Sequence, residues 1–454
     1  MVGVSLAMLL ARDGHRVTVL ERDAPAPPLG AGAWAAWTRP GVAQFHQPHT
    51  LLARFRKILD DELPGMVGRL EAAGCVWADW LAVMPPLIRD RSPRPGDDRF
   101  RYVTGRRPVI EAVLAEAAAE TEGVDIRRGV AVAGLRTGPS VLDGVPHVIG
   151  VRTTAGDELE ADLVVDAMGR RSRLAEWLTA VGGPPPHVES EDCGFVYHSR
   201  YFSGPALPQV LAPPVVDIGT ISLLTLPGDN GTWSITVWSA STDIALRGLR
   251  DVDRFTNVVR ACPAHAHWLD GDPITGILTT AGVVDRYRRM VVDGAPVVTG
   301  LVAVGDAWAC TNPSAGRGMT LGLLQAQCLR DVVRSHASDP EALARAMDEV
   351  TEAEVTPYYR AQMTADRARF AEMDALRRGE APAPLSPRDA AIAGAVMRDP
   401  DVFRAMLEAT MCLSRPDEVF ARPEFMEKVD AVGRTRVWKI PGPSRQALLE
   451  LAGG

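Results

Sequence analysis

One stretch restricts the possible folds more than any other: residues 300 to 326, GLVAVGDAWACTNPSAGRGMTLGLLQA. A short apolar strand delivers Gly305 and Asp306, a loop carries Pro313, and Gly316 and Gly318 stand just ahead of a helix. Glycines there permit close backbone approach, and the free N–H groups at a helix start favour negative charge. A strand, an acid and a glycine-lined helix mouth in this order predict one strand–turn–helix unit of a parallel α/β core.

The start of the chain has a matching pattern. MVGVSLAMLLARDGHRVTVLERD places Val4, Ala7, Met8 and Ala11 on one helical face, with Gly14 suited to the turn and RVTVLE reading as a buried strand. In a dinucleotide-binding fold the third glycine of G-x-G-x-x-G opens the helix, and an acid about 20 residues on binds a ribose hydroxyl. Gly3 and Glu21 are placed for those two parts. Residues 24 to 50, rich in Pro, Gly and Trp, are expected to form a long loop. PHTLLARFRKILDDEL and RPVIEAVLAEAAAE read as amphipathic helices, the second with Pro108 in its first turn. Strands are expected at VDIRRGVAVAGL, HVIGVRTT and DLVVDAMG. From about 188 to 290 the character changes. GFVYHSRYF, VDIGTISLLTL and TWSITVWSA are β-branched and aromatic between Gly/Pro turns, as an antiparallel sheet requires. From about 339 the pattern is helical, broken by GEAPAPLSP.

Together these segments resemble the flavoprotein monooxygenases of the p-hydroxybenzoate hydroxylase type, including their epoxidase-like and two-component relatives. The resemblance covers roughly residues 1 to 335. It implies an α/β fold: a Rossmann-like, glutathione-reductase-type FAD-binding domain in two parts (1–187 and 291–335), interrupted by an antiparallel substrate domain (188–290) and followed by a helical C-terminal region (336–454). It implies FAD as cofactor, with Asp306 on the ribityl chain and the backbone of residues 316 to 319, Met319 included, at the pyrimidine end of the flavin. Gly3, Glu21, Arg22, Arg107, Val130, Gly305, Pro313, Gly316 and Gly318 complete the implied flavin contacts. Arg107, at a helix start, reads equally as a solvated arginine. The implied reaction is hydroxylation or epoxidation of an apolar or aromatic small molecule through a flavin C4a-(hydro)peroxide. An alkene reductase of the geranylgeranyl-reductase type, or a non-catalytic ligand-binding relative, are the alternatives.

Two departures from the family pattern bear on this reading. Where relatives that bind NAD(P)H directly carry Asp before a glycine, this chain has Met168 before Gly169. Methionine does not accept the same hydrogen bonds, so the electron donor is left open between NAD(P)H and a separate flavin reductase. In the family a β-strand and two glycines also precede the glycine matched by Gly3. Met1 is therefore expected to be a mis-assigned start or a trimmed one, with neighbouring strand edges exposed and most diphosphate N–H donors missing.

The remaining candidates have plain readings beside the functional ones. His46 and His49 are the catalytic candidates, near the implied flavin; His49 reads equally as an ordinary helix-start histidine. Trp233 and Trp238 fall on opposite faces of one strand by their odd spacing. Tyr197, His198, Arg200 and Tyr201 are placed for a substrate-facing wall. His265 and His267 have no third ligand nearby, so no metal site is expected. No G-x-S-x-G or H-E-x-x-H occurs, which disfavours hydrolases and metalloproteases, and TWSITVWSA lacks the spacing and proline of the halogenase signature. Lys+Arg 49 against Asp+Glu 57, a net charge of −8 without like-charge blocks, disfavours nucleic acid as a partner. Six scattered cysteines and no apolar run of membrane length predict a soluble, cytoplasmic protein with free thiols and no membrane span.

Overall fold

The computed structural model describes residues 1–433 and 439–453. The first helix spans Val2–Arg12 and buries Leu6, Ala7, Met8, Leu9 and Leu10. Gly14, at φ 90, turns the chain into the strand Val17–Glu21. That strand pairs in parallel with Val124–Arg128, in register from Val17 opposite Val124 to Glu21 opposite Arg128. The helix Arg107–Glu120 crosses between them, with proline in its first turn and nearly its whole length buried. A second parallel pair joins Val164–Asp166 to Leu301–Ala303 from the far side of the intervening sheet segment.

The two parallel pairs do not hydrogen-bond to each other. Every residue of Val17–Glu21 and of Val164–Asp166 borders one large cavity instead. Among the described residues, no strand bridges them. Beside this region lies an antiparallel meander of Val132–Leu142, Val145–Thr153 and Glu158–Glu160. The expected single strand over 124–135 is thus two, separated at Gly129, whose φ is 73.

The β-branched region forms the six-stranded sheet. Ile221–Pro227, Thr232–Ala240 and Phe195–Ser203 lie side by side, Val215–Ile218 is one edge, and Asp272–Pro273 and Leu278–Thr280 pair with Phe195–Ser203. VDIGTISLLTL is a hairpin rather than one strand, because Ile218 pairs with Ile221 across a two-residue turn whose Gly219 has φ 57. Thr232–Ala240 is buried along its whole length. Its Trp233, Ile235 and Val237 pack with Phe255, Trp268 and Leu448, whereas Trp238 packs with Phe195, Tyr197 and Met373. The opposite-face expectation for the two tryptophans holds, and both are buried.

Helices from the C-terminal region pack against part of each face of this sheet. Arg445–Ala452 supplies Leu448 and Ala452 to one core, and Thr356–Arg377 supplies Met373 to the other. Several of these helices start at Asp-Pro or Ser-Pro. Asp339 accepts the N–H groups of Glu341 and Ala342, and Asp399 those of Asp401 and Val402.

One buried ion pair ties the six-stranded sheet to the parallel part. Arg106, just before the crossing helix, donates from its backbone and guanidinium to Asp229, with side chains 7% and 0% exposed. Its guanidinium also lies over Trp34, 4.7 Å from the ring centre. No described helix is long and apolar enough to cross a membrane.

Candidate active site

A cavity of about 1390 Å³ runs from the first helix and the parallel strand ends to one face of the six-stranded sheet. Its floor depends on glycines. A Cβ at Gly3 would come 3.1 Å from that of Ala167, and one at Gly322 only 2.5 Å from Val2. The first helix therefore packs closely on the turn after Val164–Asp166 and on the helix Gly318–His336. Gly305 turns at φ 59, and its N–H donates to Gln325 Oε1 at 2.8 Å.

Asp306 follows at the cavity wall. Arg170 reaches it at 3.4 Å and also donates to the Thr311 carbonyl at 3.2 Å. Arg286 donates to the main-chain carbonyls of both Asp306 and Arg170. The loop then carries Pro313 and turns at Gly316, φ 63, where a Cβ would lie 2.7 Å from Thr50. At Gly318 a Cβ would meet nothing within 4 Å, so the start of its helix faces open space. Pro313, Gly316, Gly318 and Met319 all border the cavity.

The opposite wall is a chain of charges. Arg39 pairs with Glu21, with Asp23 at 3.3 Å and with Glu111 at 2.8 Å. Glu111 also accepts from Arg107 at 2.7 Å. Burial pushes the Glu111 carboxyl up, but Arg107, the chain's amino group and Arg39 outweigh it and hold it well below the usual range. Arg107 in turn meets His49 Nε2 at 3.2 Å, while His49 Nδ1 meets the Gln47 carbonyl at 2.7 Å. A carbonyl accepts only and a guanidinium donates only, so His49 is neutral with its proton on Nδ1. Burial, with Arg107 beside it, lowers its pKa to about 3. His49 is therefore a hydrogen-bond acceptor for Arg107 at neutral pH, not a group poised to exchange protons.

The other sequence candidates separate clearly. Arg22 and Val130 border the cavity, and the Val130 N–H donates to the Glu21 carbonyl. His46 is not on the cavity wall; it meets the Trp34 carbonyl at 3.3 Å and packs edge-on to Trp34 and Phe45. Of the four sheet residues, Tyr197 faces the cavity. His198 meets Thr279, Arg200 donates to the Thr275 carbonyl and Tyr201 leans on Trp34, all off the cavity wall. Met168 borders the cavity and is 44% exposed. Sequence reasoning missed Asp166, which accepts from the Met168 N–H and the Ser172 hydroxyl and so shapes that turn. It gave Arg39 no partner and missed Glu111 and Arg170; the pairs Arg39–Glu111 and Arg170–Asp306 join groups distant in sequence. Among the described residues no cluster fits a metal ion.

No protein-family model matches the sequence. It is 29% identical over 369 residues to Protein Rv3254 of Mycobacterium tuberculosis, covering 74% of this chain and 72% of that one. It is 28% identical over 275 residues to a D-amino acid dehydrogenase of a Methylobacterium species, covering 58% of this chain and 56% of the relative. Among solved structures, pqsL, a probable FAD-dependent monooxygenase from Pseudomonas aeruginosa, superposes with TM-score 0.60 at 18% identity over 83% of this chain and 95% of its own. The p-nitrophenol 4-monooxygenase PnpA of Pseudomonas putida gives 0.58 at 16% identity, covering 91% and 96%. The Diels-Alderase PyrE3 gives 0.60 at 18% identity, covering 90% and 78%. The chain has the mixed α/β fold of the flavin-dependent monooxygenases.

Proposed function

From that fold we propose that the chain is an FAD-dependent monooxygenase acting on an apolar or aromatic small molecule. The observation that carries the reading is the continuity of the cavity. It joins Gly3 and Glu21, the Asp306 carboxylate, the Gly316–Met319 helix mouth and the sheet face at Tyr197 and Trp238. The residues fit the cofactor where it can be tested. Positive φ at Gly305 and Gly316, the open approach to Gly318 and a carboxylate between them suit a polyhydroxy chain followed by a hydrogen-bonding ring.

In this reading Asp306 accepts from the ribityl hydroxyls, and the N–H groups of residues 316 to 319 face the pyrimidine edge. Arg107 and the first-helix mouth take the diphosphate, and Glu21, held by Arg39, takes the ribose. Bound FAD supplies the redox chemistry by which one oxygen atom of O₂ is transferred to substrate. The chain's own part is to hold the substrate against the sheet face and to keep water out. Neutral His49 fixes Arg107 rather than moving protons. Exposed Met168 in place of an acid supports electron delivery by a separate flavin reductase over direct NAD(P)H binding.

The domain reading accompanies this: residues 1–187 and 291–335 hold flavin, 188–290 face substrate, and 336–454 are a helical C-terminal region, of which Thr356–Arg377 and Arg445–Ala452 pack on the sheet. Incubating the purified chain with FAD and a reductant, then supplying isotopically heavy dioxygen with candidate aromatics, tests the function. Flavin absorbance retained through gel filtration and heavy oxygen in the product are expected. A colourless protein that ignores FAD would contradict it. Flavin retention without oxygen transfer would point to another reaction on this fold, which PyrE3 shows is possible.

A further inference from the structure

A second, smaller cavity lies apart from the one described above. It has a volume of about 370 Å³ and shares no lining residue with the large cavity. Its floor is one face of the helix Gly318–His336, and its walls come from the helices Ala53–Glu62 and Pro340–Glu354. Leu324, Cys328 and Val332 recur every four residues, so they form one apolar stripe along that floor. Val350 adds a further apolar side chain from the wall.

Arg54 stands on the other wall. Its backbone N–H donates to the Met411 carbonyl at 3.1 Å, which fixes the start of its helix. Its Nε is buried without a partner, and its terminal nitrogens donate to no described group. The guanidinium is held by packing and keeps its forked terminal donors free. The two acids of the groove already have their own cations. Asp331 pairs with Arg330 at 2.7 Å and with Arg334 at 3.4 Å, and Glu354 pairs with Arg415 at 3.2 Å. Gln327 turns its amide to Glu62 at 2.7 Å. The charge left without a counter-ion in this groove is therefore the positive one on Arg54.

We propose that the groove is a binding site for a small aliphatic carboxylate. The two oxygens of the acid pair with the terminal nitrogens of Arg54, since a planar fork and a carboxylate match in width. The alkyl chain lies on the Leu324–Cys328–Val332 stripe. The volume is at the lower end of ordinary ligand pockets, which limits the ligand to a short chain. An amide of the same shape keeps the apolar contact and loses the ion pair. The site stands whether or not the large cavity holds flavin, because the two have no residue in common.

Calorimetric titration of the full chain with hexanoate and with hexanamide, at low salt, tests this. Hexanoate should bind about tenfold tighter or more, as one charge-assisted contact predicts. In Arg54→Gln the two affinities should come within about threefold, through loss of hexanoate binding. Arg54→Lys, which keeps the charge without the fork, should restore part of the preference. Ser335→Trp fills the groove from an exposed position and should weaken hexanoate by about tenfold or more. Equal affinities in the unaltered protein, no binding of hexanoate, or a full preference surviving Arg54→Gln would each overturn it. Should Arg54→Gln not fold, Ser335→Trp still decides, because hexanoate binding untouched by that change would put the acid elsewhere.

Discussion

Two adjacent β regions of this molecule are held in place in different ways. Thr232–Ala240 has a hydrogen-bonded strand on each side and a core against each face. Val17–Glu21 has one partner strand and borders a cavity throughout. The antiparallel sheet is held by packed apolar side chains, which contribute through area removed from water. The parallel strands pack on an apolar core of their own, with Val17, Leu20, Val164 and Val165 only partly buried against it, and add the Glu21–Arg39–Glu111–Arg107 charges along one wall. The comparison teaches that one region supplies a stable wall and the other polar groups around an open space. A binding site between them uses both.

The contrast can be broken most sharply at their junction. Asp229→Ala leaves the Arg106 charge buried without its partner, and unfolding in urea should show a loss of about 3–5 kcal/mol. A loss under about 1 kcal/mol would mean that the two regions do not depend on this pair. Next, Ile235→Ala in the sheet should cost about 2–5 kcal/mol, whereas Val19→Ala in the cavity-lined strand should cost clearly less. Equal costs in the same urea experiment would erase the distinction between packed and open strands.

A smaller effect concerns pH. Asp285 is 1% exposed with neither carboxylate oxygen in a well-formed bond, and burial, with Asp366 nearby, raises its pKa to about 7. The unfolded chain loses this proton near pH 4, the folded one only near 7. Its contribution is therefore fully present below the lower value and is lost as pH rises through the window. Asp285→Asn should flatten that decline by about 1–3 kcal/mol between pH 4 and 8, read from urea midpoints across the range. An unchanged slope would place the titration elsewhere.

Local signals were legible in the sequence. The helix Arg107–Glu120 and the strand Thr232–Ala240 lie where their patterns put them. Gly305, Asp306 and Gly316 of the strand-to-helix passage also border the cavity. The Gly219 turn was present in the letters but hidden inside a continuous apolar run, so one strand was read where a hairpin forms. Asp399-Pro400 likewise marks its helix start locally. What the sequence could not show is which distant groups meet. Arg39 with Glu111, Arg106 with Asp229, and Tyr197 with Asn312 are products of the tertiary fold. No spacing rule links a strand tyrosine to an asparagine of a distant loop. His49 shows the same gap: only its partners reveal that it is a neutral acceptor.

The central claim is that Asp306 and the glycine-lined helix mouth hold a flavin, and FAD titration of the unaltered protein beside Asp306→Ala tests it most directly. Circular dichroism should match for the two proteins, while the variant binds FAD about tenfold to a hundredfold more weakly, as expected for losing a charged acceptor. Equal, tight FAD binding by both proteins, or no FAD binding by the unaltered one, would contradict the account.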